Sequence, residues 1–146
     1  MAYVERQVGL CAQLCVGRNE INQKIVSEIL PYEVAFWGAS SSVATNKIRT
    51  AFVRVLRCAY VDVADNYPFL ENIKLSVSWN DLDSPMHDIT EPTKSLTGQK
   101  MPHFLELRDF IYNYIKDNQV VIAKEEQKNI LSMEVLILAS TIISFG

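Results

Sequence analysis

Apolar positions recur at intervals of three and four along most of this chain, the repeat expected of helices that bury one face. Val4, Val8, Cys11, Leu14 and Cys15 form the first such stripe, and Gly17, suited to a left-handed C-terminal turn, predicts its end. Asn19 is placed to cap a second helix with the stripe Ile21, Ile25, Val26, Ile29 and Leu30, which Pro31 interrupts. A short apolar piece, Val34 to Trp37, precedes the polar break Ser40-Ser41-Ser42. Ile48, Ala51, Phe52, Val55, Leu56, Ala59 and Tyr60 then keep helical spacing, with Lys47, Arg49, Arg54 and Arg57 off the stripe. The helix they predict, from about Thr45 to Val61, should form the centre of the core.

The periodicity lapses from about 62 to 99, where Pro68, Pro85, Pro92 and Gly98 stand among many Asp, Ser and Thr residues. This reads as one long irregular connection. Ile73, Leu75, Val77 and Trp79 alternate with polar residues, which suits either a strand or an extended segment packed on helices. Pro102 fits a first helical position, and Phe104, Leu105, Leu107, Phe110, Ile111, Tyr114 and Ile115 give a broad apolar face ending near Asn118. The last helix, from about Lys124 to Ser144, opens with Glu125 and Glu126 near its positive N-terminus and runs through Ile130, Leu131, Val135, Leu138, Ala139 and Ile142. Its final turns are apolar almost all round, as in helices packed between neighbours or against a following repeat.

The pattern therefore predicts a single all-α domain over residues 1–146, with about five helices. Helices paired at this length, with no parallel-sheet pattern, point to an α-solenoid layer, although no clean internal repeat is present. With 49% hydrophobic residues the chain is long enough to bury a real core. The net charge of −3 arises from interspersed acids and bases, without the Lys/Arg cluster that successive phosphates demand, so nucleic acid is not an expected partner. No run reaches the roughly 18 to 20 apolar residues of a membrane span, and no signal-peptide order opens the chain. A soluble segment is expected.

Candidate chemistry is sparse. Cys11, Cys15 and Cys58 sit among apolar residues, an odd count that reads as small buried thiols in a reducing compartment. His87 and His103 lie in or beside the Pro-rich connection without metal-ligand spacing, as loop histidines do, and the five glycines form no phosphate-binding pattern. Asp62, Asp65, Asp81, Asp83, Asp88 and Glu91 make the connection acidic, but the carboxylate order of a calcium loop is missing. No catalytic residue, metal site or cofactor is expected. Ser40 to Ser42, Thr90 and Thr93 are hydroxyls that could accept phosphate, as those of any polar linker could. Trp37 and Trp79 are read as core residues, with an interface anchor as the other reading.

Several stretches, in order, resemble the helical homology region shared by inositol trisphosphate and ryanodine receptors. Leu14-Cys15-Val16-Gly17-Arg18-Asn19 resembles that region's "LC-x-x-RN" step between two helices. Ile48 to Asp62, IRTAFVRVLRCAYVD, is similar to the family helix "LRASF-x-x-L-x-x-x-HVD", with Tyr60 where the family has histidine. Trp79-Asn80-Asp81-Leu82 occupies the place of a Trp-containing segment before an acidic insert, and Phe104 to Asn118 that of the penultimate helix. Lys124 to Gly146, KEEQKNILSMEVLILASTIISFG, resembles the closing helix "KNKLTFEVV-x-LA-x-x-LI-x-FG". Asp62 after an aromatic, and the absence of a long Pro/Gly-rich insert, favour the inositol trisphosphate receptor branch.

The resemblance implies an armadillo/HEAT-like layer from the cytosolic part of a ligand-gated, homotetrameric calcium-release channel of the endoplasmic reticulum. Such a layer relays movement from the ligand-binding region to the pore. Its expected partners are neighbouring domains and subunits of the parent channel. No basic cluster here would cradle inositol trisphosphate. The alternative is a helical-repeat scaffold or adaptor of unrelated descent, binding proteins through its apolar ends.

Overall fold

The computed structural model describes residues 2–63, 102–120 and 123–144. Among them are six helices and no strand: α1 (Ala2–Leu14), α2 (Glu20–Ile29), α3 (Tyr32–Ser40), α4 (Asn46–Val55), α5 (Pro102–Asp117) and α6 (Glu126–Ile143). A π-helical turn, Leu56–Val61, continues α4. The all-α expectation holds. The expected irregular connection lies outside the described residues from position 64 onward, as do the alternating segment around Ile73 to Trp79 and the readings on His87, Thr90 and Thr93.

The sixth helix is α3, expected only as a short apolar piece. Pro31 ends α2 and also stands at the N-cap of α3, where its missing N–H costs nothing. After Tyr32, the residues α3 turns inward are the small Ala35, Gly38 and Ala39, so an apolar-stripe pattern passes over them. Their size lets α3 approach α4 closely: a Cβ on Gly38 would overlap the Phe52 ring.

α4 is the hub, packing most extensively on α1, α3 and α6, while its π turn touches α1, α2, α3 and α6. Surrounded in this way, Ala51, Val53, Val55, Leu56, Cys58, Ala59 and Val61 are all buried. Leu131, Val135 and Leu138 of α6 and Leu107, Ile111 and Tyr114 of α5 join them in one core. Each large aliphatic side chain buried there contributes about 1.5–3 kcal/mol.

Several expected stripes need correction. In α1 the inward residues are Val8 and Ala12, continued by Cys15 just past its end, while Val4 and Leu14 are exposed. In α2 only Gln23 and Val26 are buried, and Ile21, Ile25 and Ile29 line the opposite, exposed face. Leu105 and Ile115 of α5 are likewise exposed.

The turns between helices follow local chemistry. Gly17 takes the left-handed conformation expected of it, at φ +78°, and Arg18 follows at +59°. Asn19 caps α2, its side-chain oxygen accepting from the Asn22 amide at 3.1 Å.

Carbonyls at four helix ends, which have no partner within their own helix, receive side-chain donors from other elements. Asn22 Nδ2 donates to Leu14 O at 2.9 Å, Tyr60 Oη to Leu30 O at 2.6 Å, and Arg49 Nε to Ala39 O at 2.9 Å. At the π turn the Asp62 amide bonds Arg57 O and the Val63 amide bonds Val61 O, so neither reaches the Cys58 carbonyl. Gln23 Nε2 supplies the missing donor, at 2.7 Å to Cys58 O and 2.9 Å to Asp62 O. This explains why α2 turns a polar residue inward.

Candidate functional site

The richest cluster of polar and aromatic groups lies where α3, α5 and the π turn meet. Tyr32 stacks on Phe36 at 5.8 Å between centroids and on His103 at 3.7 Å, and meets Tyr60 edge-on at 5.5 Å. Phe110 extends the seam from Phe36 toward Tyr114. His103 is thus a helix residue, second in α5 and stacked on an aromatic ring, and not the loop histidine the sequence suggested.

A cleft of about 560 Å³ opens beside this seam, with Arg49 on one wall and Glu106, Asp109 and Asp117 on the other. Arg49 is already engaged: it donates to Ala39 O and its guanidinium carbon lies 5.7 Å from the Tyr114 ring centre. The buried Tyr32 hydroxyl has no hydrogen bond of sound geometry. Burial, with Glu106 and Glu33 nearby, pushes its acidity well below the ordinary phenol range, so it holds its proton. Burial raises Tyr60 to about 12, and that hydroxyl is spent on Leu30 O.

The thiols are arranged as the sequence indicated in part. Cys15 and Cys58 are buried and Cys11 is half-buried, all three free. Burial pushes Cys15 up to about 11, helped by Cys58 and Cys11. Burial also raises Cys58, with Arg57 partly opposing it. Raised thiols are poor nucleophiles.

Of the acidic residues expected to mark the connection, Asp62 is described, and its carboxylate accepts from Arg18 Nε at 2.8 Å. Asp65, Asp81, Asp83, Asp88 and Glu91 lie outside the described residues. Among the described residues no three His, Cys, Asp or Glu side chains are grouped to hold a metal ion. No described helix is long and apolar enough to cross a membrane.

One charged pair escaped the sequence reading. Glu134 of α6 is buried, and its Oε1 accepts from Nε and Nη2 of Arg54 on α4, each at 2.8 Å. Glu134 stands among Leu131, Val135 and Leu138, so α6 meets the hub through an apolar face carrying a single ion pair.

The opposite face of α6 is also apolar. Met133, Leu136, Ile137 and Ile143 recur there at helical spacing and are 51%, 56%, 37% and 75% exposed. Trp37 of α3, read from the sequence as a core residue, is 71% exposed, because Ala35 and Ala39 are the residues that turn inward. Trp79 is outside the described residues. Ser40 closes α3, bonding back to Phe36 O, with Ser41 and Ser42 in the turn after it.

No family model matches this chain, and no solved structure matches it.

Proposed function

We propose that the chain is a non-catalytic helical layer of a larger protein, which stacks through the outward face of α6 on a neighbouring helical unit and passes displacement along the stack. The observation that carries this reading is the doubly apolar α6. Single exposed apolar residues are ordinary on a protein surface. Met133, Leu136, Ile137 and Ile143, however, recur on one face of one helix, opposite the face that packs on α4. Repeat proteins leave such a face where the next unit is to stack.

The resemblance of Ile48–Asp62 and Lys124–Gly146 to the calcium-release channels supplies the parent in this reading. It is a homotetrameric, inositol trisphosphate-gated channel of the endoplasmic reticulum, and the chain is an armadillo-like relay layer on its cytosolic side. Relay through a stack requires units whose interfaces take discrete arrangements while their interiors stay intact. The side-chain donors at the ends of α1 to α4 provide that internal stiffness.

The test is the double substitution Leu136→Asp/Ile137→Asp in the full-length parent. Calcium release from permeabilised cells is measured against inositol trisphosphate concentration, with assembly followed by native gel. Both side chains are exposed, so the isolated chain should keep its helical content while the channel loses assembly or ligand sensitivity. Unchanged assembly together with unchanged sensitivity would overturn the proposal.

A further inference from the structure

On a different side of the molecule from the outward face of α6, α1 and the N-terminal part of α6 flank α4 and leave a groove of about 620 Å³ between them. That is within the range of clefts that take ligands, about 300–1,000 Å³. Its character changes from end to end of the lining. Leu10 of α1, 56% exposed, and Ile130 of α6 form apolar lips. Between them Gly9 and the buried Ala51 form a floor of small residues, and a Cβ built on Gly9 meets nothing within 4 Å, so the space in front of it is open. Arg6 and Lys47 add two cations that have no ion pair among the described residues. Arg54, also in the lining, is committed to Glu134, and Glu5 is the one carboxylate present.

We propose that this groove is a docking site for an acidic amphipathic segment of a partner polypeptide, whose apolar side chains lie over Gly9 and Ala51 while its carboxylates meet Arg6 and Lys47. An amphipathic helix seats in a groove in this manner, with anchors along one face. Electrostatic complementarity selects the occupant: two uncommitted cations gather in one groove of a chain whose net charge is −3. A nucleic acid is the poorer fit. Two cations neutralise few phosphates, and the Leu10 and Ile130 lips have nothing to bury against a sugar-phosphate backbone.

The experiment uses the 146-residue chain and fluorescein-labelled helical peptides that share one Leu/Ala stripe and differ in having Glu or Lys on their flanks. Binding is read by anisotropy. The Glu-flanked peptide should bind saturably and at least tenfold more tightly than its Lys-flanked twin, and should weaken as salt rises. Affinity should fall tenfold or more in R6E/K47E, which reverses the cations, and separately in G9L, whose side chain enters the open space. All three positions line the groove, and circular dichroism of the variants should match the parent chain. Equal binding of the two peptides, no saturable binding of the Glu-flanked peptide, or undiminished affinity in both variants would overturn the proposal. So would displacement of the peptide by a single-stranded oligonucleotide at equal concentration.

Discussion

Replacing Gln23 by leucine should destabilise the fold by far more than its small change in side-chain volume suggests. Gln23 is 6% exposed, and its amide donates to Cys58 O and Asp62 O, two carbonyls at the widened end of α4. The nearby amides cannot replace it, because Asp62 N is held by Arg57 O and Val63 N by Val61 O. A buried acceptor left unpaired costs about 1–3 kcal/mol, and the leucine recovers part of that through apolar burial. The net loss should be about 1–2 kcal/mol, or roughly 5 °C in melting temperature for a domain of this size. Urea unfolding followed by circular dichroism should show a lower midpoint at unchanged slope. Gln23→Glu adds a test of sign. Its carboxylate would face two carbonyl oxygens, so the folded state would hold the proton more tightly than the unfolded chain, whose glutamate titrates near about 4.3. The folded state then binds more protons across that window, and stability must fall as pH rises through it. A Gln23→Leu loss below about 0.5 kcal/mol, or a Gln23→Glu variant more stable at pH 7 than at pH 4 relative to the parent, would refute the capping argument.

Other substitutions separate the remaining contributions. Gly38→Ala forces a methyl group against the Phe52 ring and should cost about 1–3 kcal/mol in urea unfolding, with partial recovery when Phe52→Leu is added. Arg54→Ala should cost about 3–5 kcal/mol because it strands the buried Glu134 carboxylate, whereas Glu134→Gln leaves the 43%-exposed arginine free to hydrate and should cost less. Under native conditions a maleimide should label Cys11 first, with Cys15 and Cys58 protected until the chain unfolds, as mass spectrometry of the digested protein would show. The raised Cys15 thiol also sets an alkaline limit. Its contribution is complete below about 9 and is lost as pH climbs to about 11, so the urea midpoint should fall across that window, and less so in Cys15→Ala.

The helices were legible where one local signal sufficed. Asn19 as a cap, Gly17 as a left-handed turn and Pro102 as a first helical residue each act within a turn of themselves, and each stands where its chemistry requires. The orientation of α2 was not legible for a physical reason. Ile21, Ile25 and Ile29 outnumber the apolar residues on the other face, yet Gln23 turns inward because carbonyls 35 and 39 residues away need its amide. That need arises only when the π turn diverts the Asp62 and Val63 amides. α3 was missed for a complementary reason, since close approach to α4 selects Gly38, Ala35 and Ala39, which contribute little to any apolar pattern.

The surfaces depend on which face of a helix is turned inward, and α6 shows what decides this. Its two apolar faces are alike in composition, so hydrophobic burial alone does not choose between them. Glu134 breaks the tie: it shares a face with Leu131, Val135 and Leu138, and only with that face against α4 does its carboxylate meet Arg54. Rotating α6 by half a turn would bury Met133, Leu136 and Ile137 at comparable apolar gain. It would also break the ion pair and leave Arg54 beside an apolar wall. A half-buried pair of this kind adds little net stability over apolar residues of the same shape, but it sets rotational register, and it is register that leaves the second apolar face of α6 outward.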